Sequence, residues 1–316
     1  MTLRKQAEPH RQGYGGQAVI EGVMIHGPRH ATVVCRRPDE TITHRSKSLT
    51  KTYTGWASRV PLVRGMITLA ETLHLGIWAL MFSQNVALAE EESDEDAGMG
   101  VLGGITLMIS FAFAIGVFFL APIFATRWLQ DELNPEILAV IIEGLVRLVL
   151  LIGYLWLIGK LPDIRRVFEY HGAEHKTIAA WEASQELTVD NVRPFSRAHP
   201  RCGTSFLLFV AVTAIIVFTA LGSPPLWWHI TSRIVLVPVI AGIAYEAIRL
   251  GGTYRNRRVV GWLFAPNLWL QALTTREPHD YQIEVAIAAM QEAVAQEEGA
   301  AAPSAAAADL SPAGSG

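Results

Sequence analysis

Residues 204–222 read TSFLLFVAVTAIIVFTALG and contain no charged side chain. A helix of this length spans about 28 Å, close to the ~30 Å hydrocarbon core of a bilayer. Three other apolar runs have similar length, at about 99–126, 135–159 and 230–250. The first stays uncharged until Arg127. The second carries Glu143 and Arg147. The fourth carries Arg233, Glu246 and Arg249 near its ends. The expected fold class is therefore mainly α and integral membrane, with about four transmembrane helices. The 316 residues are 51% hydrophobic, and the mean hydropathy of +0.28 is high for a water-soluble protein.

A fifth run, 61–89, is interrupted by Arg64, Glu71, His74, Gln84 and Asn85. Charge placement decides how to read it. Lys and Arg number eleven in 1–64, seven in 160–203 and four in 251–280, but one each in 127–134 and 222–233. Four spans gather the three basic regions on one side, as the positive-inside rule requires. A fifth crossing would put the basic N-terminal segment outside. The run is thus expected to be an interfacial or re-entrant amphipathic helix. Both termini are expected in the cytoplasm, and the chain in the bacterial inner (cytoplasmic) membrane.

The remaining organisation follows. Residues 1–13 form a basic tail, expected to be disordered. Residues 14–60 read as a small β-rich cytoplasmic segment, with AVIEGVMI and ATVVC as strand-like runs. Their glycines lack the spacing and following helix of a phosphate-binding loop. The segments 99–159 and 204–250 form two transmembrane hairpins around a polar loop, 160–203, with one helix expected from His171 to about Gln185. Residues 90–98 are an acidic connector. In the cytoplasmic or interfacial region 251–298, Ile283, Ile287, Met290 and Val294 recur at helical spacing. Residues 299–316 are Ala/Pro/Ser/Gly-rich and expected to be disordered. Two cysteines, Cys35 and Cys202, exclude a disulfide framework and suit a reducing compartment. No cleavable signal peptide is visible.

Chemistry concentrates in the polar loop. His171, Glu174 and His175 have the His-x-x-Glu-His spacing of inverted zincins, and His199 and Cys202 follow as His-x-x-Cys. Histidines four apart share a helix face and can hold one ion. Nitrogen and sulfur donors together favour Zn2+ over magnesium or calcium. If all four of His171, His175, His199 and Cys202 bind, the sphere is closed and structural; if three bind, a position stays open and Glu174 can act as general base. Gly172 inside the motif argues against a continuous helix and for His171 at a helix start. The bland alternative is ordinary hydrogen-bonded histidines.

GGQAVIEGVMIHGP (15–28), YHGAEHKTI (170–178), HPRCGTSF (199–206) and TTREP (274–278) together resemble the bacterial YqhQ-like family, over about residues 13–280. That family is of unknown function and is catalogued as predicted metal-dependent membrane proteins. The resemblance implies that His171, Glu174, His175, His199 and Cys202 lead the site candidates, with Gln17 and Glu21 from the first block. Glu21 reads either as a distal ligand or base, or as an exposed acid on the sheet. Glu143 and Arg147 read either as a pathway through the bilayer or as a self-neutralising packing pair. Glu246 either snorkels or points toward the loop.

Three functions remain open. The first is a membrane-embedded zinc-dependent, hydrolase-like enzyme working at the cytoplasmic interface. The second is a zinc-stapled scaffold that docks ribosomes or membrane-protein machinery. The third is a transporter using Glu143 and Arg147. In every case the lipid bilayer is a partner, and anionic lipid suits the basic face that includes Arg255, Arg257 and Arg258.

Overall fold

In a computed structural model, the described residues are 13–49, 60–88, 101–132, 136–199, 203–222, 225–253 and 258–301. The N-terminal tail up to residue 12, the acidic connector, residues 302–316, Cys202, Arg255 and Arg257 lie outside them. The strands are β1 (Gly15–Val19), β2 (Gly22–His26), β3 (His30–Arg36) and β4 (Ile42–Ser48). The helices are α1 (Val63–Ala87), α2 (Val101–Ile115), α3 (Ala121–Glu132), α4 (Glu136–Ile158), α5 (Pro162–Glu182) and α6 (Val189–Val192). They continue with α7 (Gly203–Leu221), α8 (Leu226–Val235), α9 (Val237–Thr253), α10 (Arg258–Thr274) and α11 (Asp280–Ala301). The chain is thus mostly helical, with a small N-terminal antiparallel sheet in the order β1-β2-β3-β4.

AVIEGVMI is two strands rather than one. Ile20 and Glu21 form a two-residue turn that pairs Val19 with Gly22. Glu21 takes φ 51°, the left-handed conformation such tight hairpins demand. A Cβ on Gly22 would stand 2.3 Å from the Val34 carbonyl oxygen, so glycine lets β3 close over the turn.

Alternation along the strands sorts side chains to two buried faces. Val23, Ile25 and Val34 pack with Tyr170 and Ala173 of α5 and with Ile283, Ala286 and Met290 of α11. Met24, Val33 and Cys35 pack with Leu75, Ala79, Phe82 and Val86 of α1. The sheet is therefore held between α1 and the α5/α11 pair. Glu297 pins its β2–β3 turn to α11, accepting hydrogen bonds from Arg29 N (2.7 Å), His30 N (2.8 Å) and Arg29 Nε (2.9 Å).

Among the described residues, three helical stretches are long and apolar enough to cross a membrane: Val63–Ala87, Gly104–Thr126 and Leu138–Ile158. The stretch Phe206–Leu221 is apolar but shorter. The fourth apolar run of the sequence is split at Leu236 into α8 and α9, because Pro238 has no N–H to give the preceding turn. Gly104–Thr126 passes through a π-helical segment, Gly116–Leu120, where Ala121 N bonds to Gly116 O five residues back. These helices turn large apolar residues outward, with Met108 74%, Val149 69% and Ile216 64% exposed. Such contiguous apolar exterior is the reverse of a water-facing surface.

The helix expected from His171 starts a full nine residues earlier, at Pro162. Pro162 stands in the first helical turn and Asp163 follows it, both favoured at a helix start. His171 is consequently mid-helix, and Gly172 has another purpose. A Cβ there would lie 2.1 Å from the Arg276 carbonyl oxygen. The glycine admits the strand-like segment between α10 and α11 against α5.

Candidate metal centre

Because α5 runs through the motif, His171, Glu174 and His175 share one face. One ligand atom from each lies within 4.8 Å of the others. Glu174 Oε2 is 3.9 Å from His171 Nε2 and 3.9 Å from His175 Nε2. The rings are 4.4 Å apart, centroid to centroid.

The remaining ring nitrogens fix the tautomers. His171 Nδ1 is 2.9 Å from Thr274 O, and His175 Nδ1 is 2.5 Å from Arg197 O. A carbonyl only accepts, so each Nδ1 holds the proton and each Nε2 presents its lone pair toward Glu174. Metal-binding histidines are oriented this way. Glu174 Oε2 and His175 Nε2 are buried with no hydrogen-bond partner among the described residues. Leaving such atoms unsatisfied costs about 1–3 kcal/mol each. Two converging imidazoles and one carboxylate, with Glu174 Oε2 and His175 Nε2 unpartnered among the described residues, fit a zinc-like divalent ion.

Burial also tunes the groups. It pushes the Glu174 carboxyl up to about 8. It pulls His175 down to about 3, helped by the charges of His171 and His199 and opposed by the Arg197 hydrogen bond. Burial likewise lowers His171, against its bond to Thr274. Both histidines are thus held neutral, the form that binds metal.

The lid over this face is backbone. A Cβ on Gly16 of β1 would fall 2.6 Å from Glu174 Cγ, so β1 closes on the carboxylate only because position 16 is glycine. His199 stands beside the cluster, its ring 5.7 Å from that of His175. Its Nε2 faces Glu182 Oε2 at 3.6 Å, one helical turn and more beyond His175 on α5. Gln271 of α10 grips the His199 backbone twice, accepting from its N–H (3.1 Å) and donating to its carbonyl (2.7 Å). Cys202 lies outside the described residues.

The other sequence candidates are dispersed. Gln17 of β1 reaches over Gly76 of α1, with its Oε1 buried and unpartnered among the described residues. Glu21 is outside the cluster; its Oε2 takes hydrogen bonds from Arg166 (2.6 Å) and Tyr170 (3.3 Å), tying the β1–β2 turn to α5. Glu246 pairs with Arg64 and accepts from Leu62 N (3.2 Å), where Gly65 and Gly242 let α1 and α9 touch. Glu143 is gripped by Arg147 (3.0 Å) and by Arg233 (3.3 Å), whose guanidinium covers the Phe218 ring at 4.1 Å. Arg147 also donates to Phe118 O (2.8 Å), a carbonyl of the π-helical segment.

The sequence alone gave no part in the site to Gly16, Gly172, Glu182, Gln271 or the carbonyls of Arg197 and Thr274. One signal pointed to several of them. The blocks at 15–28, 170–178, 199–206 and 274–278 each send a residue to this one site: Gly16, the α5 triad, His199 and Thr274.

The family described as "Protein of unknown function (DUF1385)" matches residues 60–296. The chain belongs to this family. It is 36% identical over 297 residues to the "Uncharacterized protein YqhQ" of Bacillus subtilis (strain 168), covering 88% of this chain and 91% of that protein. No solved structure matches it. The site above therefore rests on this chain's own geometry.

Proposed function

We propose that this chain is a multi-pass protein of the bacterial inner membrane and a metal-dependent, hydrolase-like enzyme whose site lies at the cytoplasmic interface. One observation carries the reading: two histidines with Nδ1 tied to carbonyls aim Nε2 at a buried, unpartnered carboxylate oxygen. His171, His175 and Glu174 would hold zinc. The ion, when bound, would supply Lewis acidity toward a carbonyl or phosphoryl oxygen or toward an attacking water. Three protein donors leave a coordination position open, as catalytic sites do.

This reading gives Glu174 a different part from the general base expected from its spacing. Its equal distances from both Nε2 atoms suit a third donor. His199, backed by Glu182 and fixed by Gln271, is then the proton acceptor at the edge of the site. The basic face of the same side would meet anionic lipid.

The deciding experiment counts zinc in purified protein and in its Glu174→Gln and His171→Ala variants. Stoichiometric zinc in the wild type, lost in both variants, is the expected result. Zinc retained by Glu174→Gln with loss of cellular function would return Glu174 to the role of base. A wild-type protein that binds no zinc, cobalt or manganese would overturn the reading.

The zinc-stapled scaffold is the second reading. It is favoured by the way the His175–Arg197 and Gln271–His199 contacts knit the loop before α7 to α5 and α10. It expects zinc-bound protein in which His199→Ala and Glu182→Gln leave cellular function intact.

A further inference from the structure

Beside the metal cluster lies a groove of about 540 Å³. That volume is in the range of small-molecule pockets, about 300–1,000 Å³. Its walls come from α1, β1, α4, α5, α7 and α10, and no Asp, Glu, Lys or Arg lines it. Among its lining, Leu73 and Leu80 of α1 are 57% and 48% exposed, on the apolar outer surface. Along it stand Leu155, Val167 and Phe168. His171, Gln17, Thr72 and Thr274 also line it. The Gln17 Oε1 is buried there and unpartnered among the described residues.

We propose that this groove takes the hydrocarbon chain of a bilayer lipid and presents the lipid's ester or phosphoryl end to His171 and its neighbours. The proposal rests on the metal-centre reading and names its substrate class. Three features select a lipid chain over a soluble metabolite. Two of the walls, α1 and α4, belong to stretches apolar enough to cross a membrane, so the groove is continuous with the surface that meets lipid tails. A charged headgroup finds no counter-charge along the lining, so the chain must enter first. The lining combines an apolar majority with a metal-candidate side chain, His171, as a molecule with one apolar and one polar end requires.

The test uses full-length protein in phosphatidylethanolamine/phosphatidylglycerol vesicles doped with a phospholipid carrying a diazirine near the middle of one acyl chain. After irradiation, adducts are mapped by mass spectrometry, and zinc is counted in the same preparation. Adducts on Val167 and Phe168 are expected, besides those on outward residues such as Val149. Leu80→Trp, at an exposed position that should not disturb folding, should lower labelling of Phe168 at least about fivefold by filling the groove, and leave Val149 unchanged. Phe168 and Val167 left unlabelled beside a labelled Val149 would overturn the proposal, as would Phe168 labelling unaffected by Leu80→Trp. Groove labelling without bound metal would overturn the metal centre and leave the lipid groove standing. Bound metal with an unlabelled groove would do the opposite.

Discussion

Glu174 is the residue on which the chemistry turns, and its burial makes a sharp prediction. With its carboxyl held near 8, it is mostly protonated at pH 7 in the metal-free protein. An amide copies that neutral form. Glu174→Gln should therefore match metal-free wild type to within about 1 kcal/mol only near pH 4, where the carboxyl is protonated in the folded and the unfolded chain alike. The sign at other pH values follows from linkage. A carboxyl whose folded-state value is raised contributes stability that is full below its unfolded value, ~4.5, and lost as pH rises through about 8. Metal-free wild type should thus weaken relative to Glu174→Gln between those limits, in paired thermal melts with chelator. Added zinc should raise the melting temperature of wild type alone.

Gly172 makes the opposite kind of prediction. In an exposed helix, Gly→Ala stabilises by roughly 1 kcal/mol. Here the new methyl would sit 2.1 Å from the Arg276 carbonyl oxygen. Gly172→Ala should therefore destabilise, by about 1–3 kcal/mol, and loosen the segment before α11. Faster limited proteolysis near Glu277 with a lower melting temperature is the expected result; a more stable variant would refute the close approach. Sequence reading took Gly172 as a helix-weakening residue because a contact across about a hundred positions leaves no local trace. The donor types and their spacing were legible. Their convergence with Gly16 and Thr274 was not, since it depends on which segments meet.

At the scale of elements, the sheet shows how little core each piece has alone. The strands run five to seven residues, and β2 and β3 bury both faces only because α1 covers one and α5 with α11 the other. The contact most exposed to test is Glu297, which satisfies two backbone N–H groups of the β2–β3 turn. Glu297→Ala should cost about 2–4 kcal/mol by leaving those donors without their acceptor. Burial pushes this carboxyl up, but hydrogen bonds from Arg29 and His30 outweigh it and hold it below its ordinary value. A depressed carboxyl contributes stability present above its unfolded value, ~4.5, and lost as pH falls through the folded one. Acidification should narrow the gap between wild type and Glu297→Ala in chemical-denaturation curves. A gap constant down to pH 3 would assign the loss to packing. The amphipathic pattern at 283–294 announced α11; nothing local announced that its far end would clasp a turn some 270 positions away.

The whole molecule poses one question above the others: on which side each part stands. The sequence answer came from counting basic residues. We propose an arrangement that the packing supports. The β1–β4 sheet touches α5 and α11, so the N-terminal segment, the central loop and the C-terminal helix share a side. Helix α1 is long and apolar enough to cross, yet its C-terminal half lies under that same sheet through Leu75, Ala79, Phe82 and Val86. Its first turn is tied by Arg64 to Glu246, in the part of α9 that leads back toward the basic residues 255–258. In the proposed arrangement α1 lies along the interface and the crossings are made by α2–α3, α4, α7 and α8–α9. The buried Arg147–Glu143–Arg233 group then lies among the crossing helices, its charges matched by one another, the Phe118 carbonyl and the Phe218 ring. Reporter fusions decide the arrangement. A cytoplasm-active reporter should be active when joined after residue 12, within 89–100, within 183–188 and after residue 301, and inactive within 133–135 or 222–225. A reporter within 89–100 that is active only outside would show that α1 crosses. It would then place the sheet and the start of α2 on opposite sides, which the packing of Phe82 and Val86 against β3 opposes.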